Sequence, residues 1–310
     1  MSYESEMLEK YNMPTRGNVE IALLKALLRH GGHIKDFSSG QEIVGELADE
    51  FNLSDEQRAV YLESIYMKQN RLKRSSLWHR LLFRAADALA KNDLLSNPTK
   101  TAKLINKREW MLMERGFDRA LNLLNVSHVK KESLSTRSYE VQKIIKRLSN
   151  AKRPENYNPI DIRRRNVGKA KEHLIRLRGF RLAVIETYAF RCAICGLKML
   201  TPDQLNWEVQ AAHIVPHSVF GRDDIWNGLA LCHLHHWCFD AGWITLDEQY
   251  RIQVSPKVVV LPKNYGKIED FELIRTLASE NRQINLPSKS EFYPHSNSIR
   301  WHRQNIFYSC

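Results

Sequence analysis

The amino-acid sequence predicts an α+β protein of more than one domain, mainly helical at first and mixed strand and helix later. Three observations predict it. Helix-period apolar residues with capping signals run to about Asn125, a strongly basic stretch follows, and the last part of the chain combines alternating apolar residues with paired Cys and His. At 310 residues the chain is long enough for two cores. The expected divisions are 1–126, a connector over 127–165, and 166–310.

In chain order, Val19 to His30 carries Ile21, Leu24, Ala26, Leu27 and Leu28 at helical spacing and stops at Gly31-Gly32. Glu42 to Phe51 predicts a second short helix. Ser54-Asp-Glu-Gln57 reads as a capping box for a helix running through Tyr61. Ser76 to Asn92 is the strongest amphipathic segment, with Leu77, Leu81, Ala85, Ala88 and Leu89 on one stripe and His79, Arg80, Arg84 and Lys91 off it. Leu94-Leu95, a polar turn at Asn97-Pro98 and a return to Trp110–Met113 predict a hairpin. Short helices, a longer helix with a basic side and then a hairpin is the order of a winged-helix domain, in which the amphipathic helix enters the major groove. His79, Arg80 and Arg84 are then candidate DNA contacts. The region resembles the N-terminal winged helix of Mrr-type restriction endonucleases in its Gly-Gly turn, its Glu-Ile-Val-Gly-Glu-Leu-Ala helix and its Trp78 helix followed by a hairpin. A helical oligomerisation or partner-binding domain is the alternative.

The chain carries a formal charge of +12, and residues 130–181 hold 16 Lys and Arg against 5 Asp and Glu, so nearly all the excess sits in the middle. A concentrated cation run suits a polyanion, because each neutralised phosphate releases counterions. Arg163, Arg164 and Arg165 are the candidate contacts here. Lys152-Arg-Pro-Glu-Asn-Tyr-Asn-Pro159 has the composition of a linker, flanked by expected helices at Tyr139–Leu148 and Val167–Tyr188.

No apolar run is long enough to span a membrane, the best one (Ile21 to Leu28) being broken by Lys25, and the acidic start (Met1-Ser-Tyr-Glu-Ser-Glu) lacks a secretory pattern. A cytoplasmic protein is expected. Four of the five cysteines, Cys192, Cys195, Cys232 and Cys238, fall in one segment among histidines, which in a reducing compartment reads as metal binding. Cys192-Ala-Ile-Cys195 and Cys232-His-Leu-His235 form two pairs of equal spacing, a Cys/Cys/Cys/His set suited to structural Zn2+. Cys238 and His233 are competing ligands.

Between and after these pairs lie Ala212-His213-Ile, Asn227-Gly-Leu-Ala-Leu-Cys232 and His235-His236-Trp-Cys-Phe-Asp240. In these motifs, over roughly Arg165 to Ser255, the chain resembles the HNH endonuclease family, and the Phe180–Tyr188 helix belongs to the likeness. The resemblance implies a ββα-metal fold, two strands, a loop and a helix around one catalytic divalent ion, Mg2+ or Mn2+. It makes His213 the general base, His236 and Asp240 the metal ligands, and Asn227 a supporting residue of the catalytic set that fixes the loop. Spacing agrees, since i and i+4 share a helix face. Taken singly, His213 is an ordinary core histidine on an apolar strand and Asn227-Gly228 an ordinary turn; their joint order inside a zinc frame outweighs those readings. Many HNH enzymes have a metal-binding Asp or His where this chain has Ala212, which leaves Gln210, His217 and Asp224 as auxiliaries.

Trp243 to Ser255 predicts a further hairpin and Val258 to Leu261 another strand. Pro294–Arg303 suits DNA contact or a packed tail. The expected whole is a metal-dependent restriction-type endonuclease acting on double-stranded DNA as a homodimer, with Trp301, Phe307 and Tyr308 near the interface. Its alternatives are a methylated-base-sensing HNH endonuclease and a non-catalytic zinc-containing winged-helix regulator.

Overall fold

The computed structural model describes residues 3–37, 41–66, 71–127, 131–162, 170–259 and 281–309. Contacts divide the chain into two units, Met1–Lys131 with Thr136–Gln142, and Glu132–Ser135 with Lys143–Cys310. Among the described residues no helix is long and apolar enough to cross a membrane.

The first unit is built on helices. After α1 (Tyr3–Lys10), Thr15 caps α2 (Arg16–Arg29) by accepting from Asn18 N, and α2 buries Val19, Ala22, Leu23, Leu24, Ala26, Leu27 and Leu28. It ends at Gly31 and Gly32, both at positive φ; a Cβ on Gly32 would sit 1.9 Å from the Arg137 carbonyl, so only glycine fits. β1 (His33–Lys35) and α3 (Gln41–Glu50) follow. The Ser54–Gln57 capping box forms as expected, but α4 (Asp55–Ala59) stops short of Tyr61. Tyr61 instead opens a hairpin of β2 (Tyr61–Tyr66) and β3 (Arg71–Ser76), which alternates too few apolar residues to announce itself. α5 (Leu77–Lys91) is capped by Ser76 and Asn92, and its buried stripe, with Trp78 donating to the Val44 carbonyl at 3.0 Å, packs on α2.

The strands at Leu95 and Trp110 do pair. Between β4 (Leu95–Ser96) and β5 (Glu109–Leu112), however, lies a helix rather than a turn: Asn97 caps α6 (Pro98–Ile105), with Pro98 in its first turn. The sheet has the order β1-β5-β4, and α7 (Glu114–Leu123) packs back on α2.

α8 (Tyr139–Ser149) carries the boundary between units, and α9 (Ala170–Thr187) is the long helix of the second. β6 (Gln210–His213) pairs antiparallel with β7 (Gly228–Leu231), His213 opposite Gly228, and α10 (His233–Asp240) follows at once. A Cβ on Gly228 would lie 2.4 Å from Val184 Cγ2, so glycine lets β7 press against α9. β8 (Ile244–Leu246) and β9 (Ile252–Val254) make the expected hairpin. Val258 and Val259 belong to a 3-10 turn and not to the strand expected from Val258 to Leu261, the rest of which lies outside the described residues. α11 (Ser296–Asn305) is a packed tail that buries Ile299 and His302; Tyr308 N and O bond Gly242 and Ser255 of its own unit.

Candidate active site

Two clusters share the β6–β7–α10 element. The first begins at the 192–197 turn, where Gly196 at φ +74° lets its N–H reach the Cys192 carbonyl and Cys192 N reach Leu197 O, both at 2.9 Å. Ala193 N then donates to Ala230 O at 2.7 Å, pinning the turn to β7. Cys232 is the N-cap residue of α10 and His235 lies in its first turn. The Cys192, Cys195 and Cys232 sulfurs and a His235 nitrogen all lie within 4.8 Å of one another. His235 Nδ1 is 3.0 Å from Cys232 Sγ and 3.6 Å from Cys192 Sγ, and the Cys195 and Cys232 sulfurs are 3.9 Å apart. Tetrahedral zinc with bonds of about 2.1–2.3 Å needs donor separations of about 3.5–3.8 Å, so the donor set fits the ion.

The thiols also act on one another. Hydrogen bonds from the Cys232 thiol and His235 pull Cys192 down to about 3, whereas burial raises Cys195 and donation to Cys192 raises Cys232. Cys238 is buried outside the cluster, its thiol pushed up to about 11 by burial, and His233 is engaged elsewhere.

The second cluster lines a cleft of about 360 Å³ with His213, His217, His236, Asp240, Pro216 and His302. His213 ends β6, while His236 and Asp240 stand one turn apart on α10, His236 Nε2 3.3 Å from Asp240 Oδ2. A chain of hydrogen bonds sets the His236 tautomer. His233 Nδ1 donates to Glu208 Oε1 at 3.2 Å, Gln210 Nε2 donates to His233 Nε2 at 2.9 Å, and His236 Nδ1 donates to Gln210 Oε1 at 2.7 Å. The His236 Nε2 lone pair therefore faces the Asp240 carboxylate. Burial lowers His236 against the pull of Asp240, and burial raises Asp240. An imidazole nitrogen beside a carboxylate oxygen is a donor pair of the kind divalent ions take. Ala212 is fully buried and offers no ligand.

Asn227, also fully buried, ties the loop between β6 and β7: its Oδ1 accepts from Val215 N at 2.8 Å, and its Nδ2 donates to the Val215 and Arg222 carbonyls at 3.0 Å. Phe180 of α9 stacks on the His213 ring at 4.1 Å and 19°. The carboxylate beside His213 is Asp223, 3.0 Å from Nε2; Asp224 accepts from the Tyr157 hydroxyl instead. Sequence reasoning passed over Asp223, Arg176 and Glu208. The Asp223-Asp224 tandem was the available signal, and which of the two faces the histidine is decided by the 3-10 turn of Ile225–Asn227.

In the first unit, Arg80 and Arg84 both grip the buried carboxylate of Glu4, at 2.6 and 2.7 Å, and burial lowers His79. Arg163, Arg164 and Arg165 lie outside the described residues.

The family model of HNH endonucleases matches residues 192–247, which hold the cysteine cluster, β6, β7 and α10. No curated protein matches the chain. Among solved structures, one described as "Modification dependent TagI restriction endonuclease" is 20% identical with a TM-score of 0.28. That match covers 41% of this chain and 37% of the other, so the chain spans well under half the length of that protein.

Proposed function

We propose that this chain, an enzyme whose residues 192–247 form an HNH endonuclease domain, is a restriction-type DNA endonuclease of the cytoplasm. The observation that carries the reading is one cleft in which His213, His236 and Asp240 meet beside a four-ligand zinc staple. Hydrolysis of a phosphodiester needs an activated water and positive charge on the developing phosphorane and leaving oxygen. His213 takes the proton of the attacking water. His236 and Asp240 hold Mg2+ or Mn2+, which when bound supplies charge at the phosphate. Asn227 holds the loop that carries the base, and Cys192, Cys195, Cys232 and His235 hold zinc that staples strand to helix.

The N-terminal unit is read as a winged helix that recognises double-stranded DNA. Support comes from α5 leading into a three-stranded sheet of order β1-β5-β4. Arg80 and Arg84, with side chains 34% and 55% exposed, reach a phosphate only from their outer edges, since Glu4 holds the inner ones. A site with one ion cuts one strand, so breaking both calls for a second copy related by a two-fold axis.

The test incubates the full chain with methylated and unmethylated plasmid DNA in Mg2+ or Mn2+, maps the ends, and follows light scattering with and without a short duplex. Divalent-dependent double-strand breaks in a dimer bear the reading out. Cleavage confined to methylated plasmid makes the enzyme modification-dependent. Binding without cleavage under any ion overturns the nuclease in favour of a zinc-containing regulator, and a monomer that only nicks overturns the dimer.

A further inference from the structure

His213 is held by two neighbours outside the three motifs, Phe180 and Asp223, and Asp223 is met in turn by Arg176. Phe180 fixes the plane of the ring. Asp223, its side chain 3% exposed, faces Nε2 through Oδ1 at 3.0 Å and meets Arg176 Nε through Oδ2 at 2.9 Å. Arg176 in turn touches His173 Nδ1 at 2.9 Å. The loop beneath is anchored on both sides: Asn227 Nδ2 donates to Arg222 O, Arg222 N to Pro159 O at 2.9 Å, and Asp161 N to Phe220 O at 2.9 Å.

We propose that Asp223, gripped by Arg176, is the positioning residue that sets the tautomer and aim of His213. The inference rests on the nuclease reading above. A buried carboxylate opposite Nε2 keeps the ring proton there and places the basic lone pair on Nδ1. In the reaction a water O–H bond breaks as Nδ1–H forms, the hydroxide oxygen bonds phosphorus, and the P–O3′ bond breaks, its oxygen taking a proton from solvent. The ring is then a cation facing Asp223, which stabilises it. Arg176 keeps that carboxylate ionised, so the proton stays on the ring. Among the described residues, the other titratable groups lining the cleft are His217, His236, Asp240 and His302.

The experiment compares full-length wild type, Asp223→Asn and Arg176→Met on duplex DNA, with melting temperature and zinc content measured alongside. Histidine 15N NMR reports the tautomer without reference to activity. For Asp223→Asn, kcat is expected to fall by about 10²–10⁴-fold with KM unchanged, as when a base loses its orienting carboxylate. The acid limb of its pH profile moves down, because the imidazolium loses a partner. For Arg176→Met the carboxylate remains but is no longer offset, so the acid limb moves up. The wild-type ring should carry its proton on Nε2 and the Asn variant a mixture. An unmoved acid limb with an unchanged tautomer in Asp223→Asn overturns the proposal even if activity falls, since a structural residue would do that. Should Asp223→Asn not fold, the upward shift in Arg176→Met decides alone. If wild type cleaves no DNA, the nuclease reading fails, and the NMR result still upholds or overturns the clamp.

Discussion

Replacing Asn227 by alanine tests whether the middle residue of the motif acts on the loop or on substrate. The side chain is fully buried and makes three hydrogen bonds, one accepted from Val215 N and two donated to carbonyls. Each is worth about 1 kcal/mol, and the buried Val215 N–H left without its acceptor adds roughly 1–2 kcal/mol, so the loss is about 4 kcal/mol. For a unit of this size about 2–4 °C of melting temperature goes with each kcal/mol, which gives a drop of about 10 °C. Differential scanning calorimetry of the full chain reads it directly. At 10 °C, where the variant stays folded, kcat should fall about tenfold with KM for DNA unchanged, because the loop bearing Asp223 has lost an anchor. A melting temperature within about 1 °C of wild type together with abolished cleavage would refute the clamp and put Asn227 on the reacting phosphate.

Three further outcomes are expected. His213→Ala should lose cleavage while keeping DNA affinity and melting temperature, since a general base acts only in the chemical step; filter binding and a plasmid assay decide it. The purified chain should hold about one tight zinc, and Cys195→Ser should lower both zinc content and thermal stability, a fully stable zinc-free protein being the opposing result. His302 of α11, pushed down to about 4 by burial, stays neutral in the fold while the unfolded chain protonates near 6.5. Stability is therefore present above pH 6.5 and lost toward pH 4, by on the order of 3 kcal/mol, and a His302→Gln variant should show a shallower fall of melting temperature between pH 7 and 5.

Local signals carried much of the structure. Ser54 and Gln57, Ser76 and Asn92, and the Gly31-Gly32 stop each act within a few residues, so sequence alone places them. The four ligands of the cysteine cluster were legible for a similar reason: two pairs at fixed spacing leave few ways to meet one ion. Setting the competitor His233 aside took the structure, because Glu208 and Gln210 hold its side chain. What escaped was decided by distant partners. Tyr61 enters a strand because residues 71–76 return to it, whereas its own neighbours favour a helix no less. Arg80 and Arg84 look like a solvent-facing basic edge until Glu4, far off in sequence, is placed under them. Asp223 and Asp224 are indistinguishable by pattern, and only the turn before β7 sends one to His213 and the other to Tyr157.

The pairing of Asn158–Asp161 with Phe220–Arg222 carries the support of the β6–β7 loop beyond residues 192–247. Arg222 donates to the Asn158 and Pro159 carbonyls, Asn297 of α11 donates to the Tyr157 carbonyl, and Ile160 bridges Gly221. The family motifs start at Cys192, yet the segment that secures the loop beside the base lies thirty-odd residues upstream and the one that covers it near the last helix. A fragment cut at the ends of that match would keep His213, Asn227, His236 and Asp240 and lose these partners of their loop. The footing of this loop is therefore wider than the segment that the family model matches.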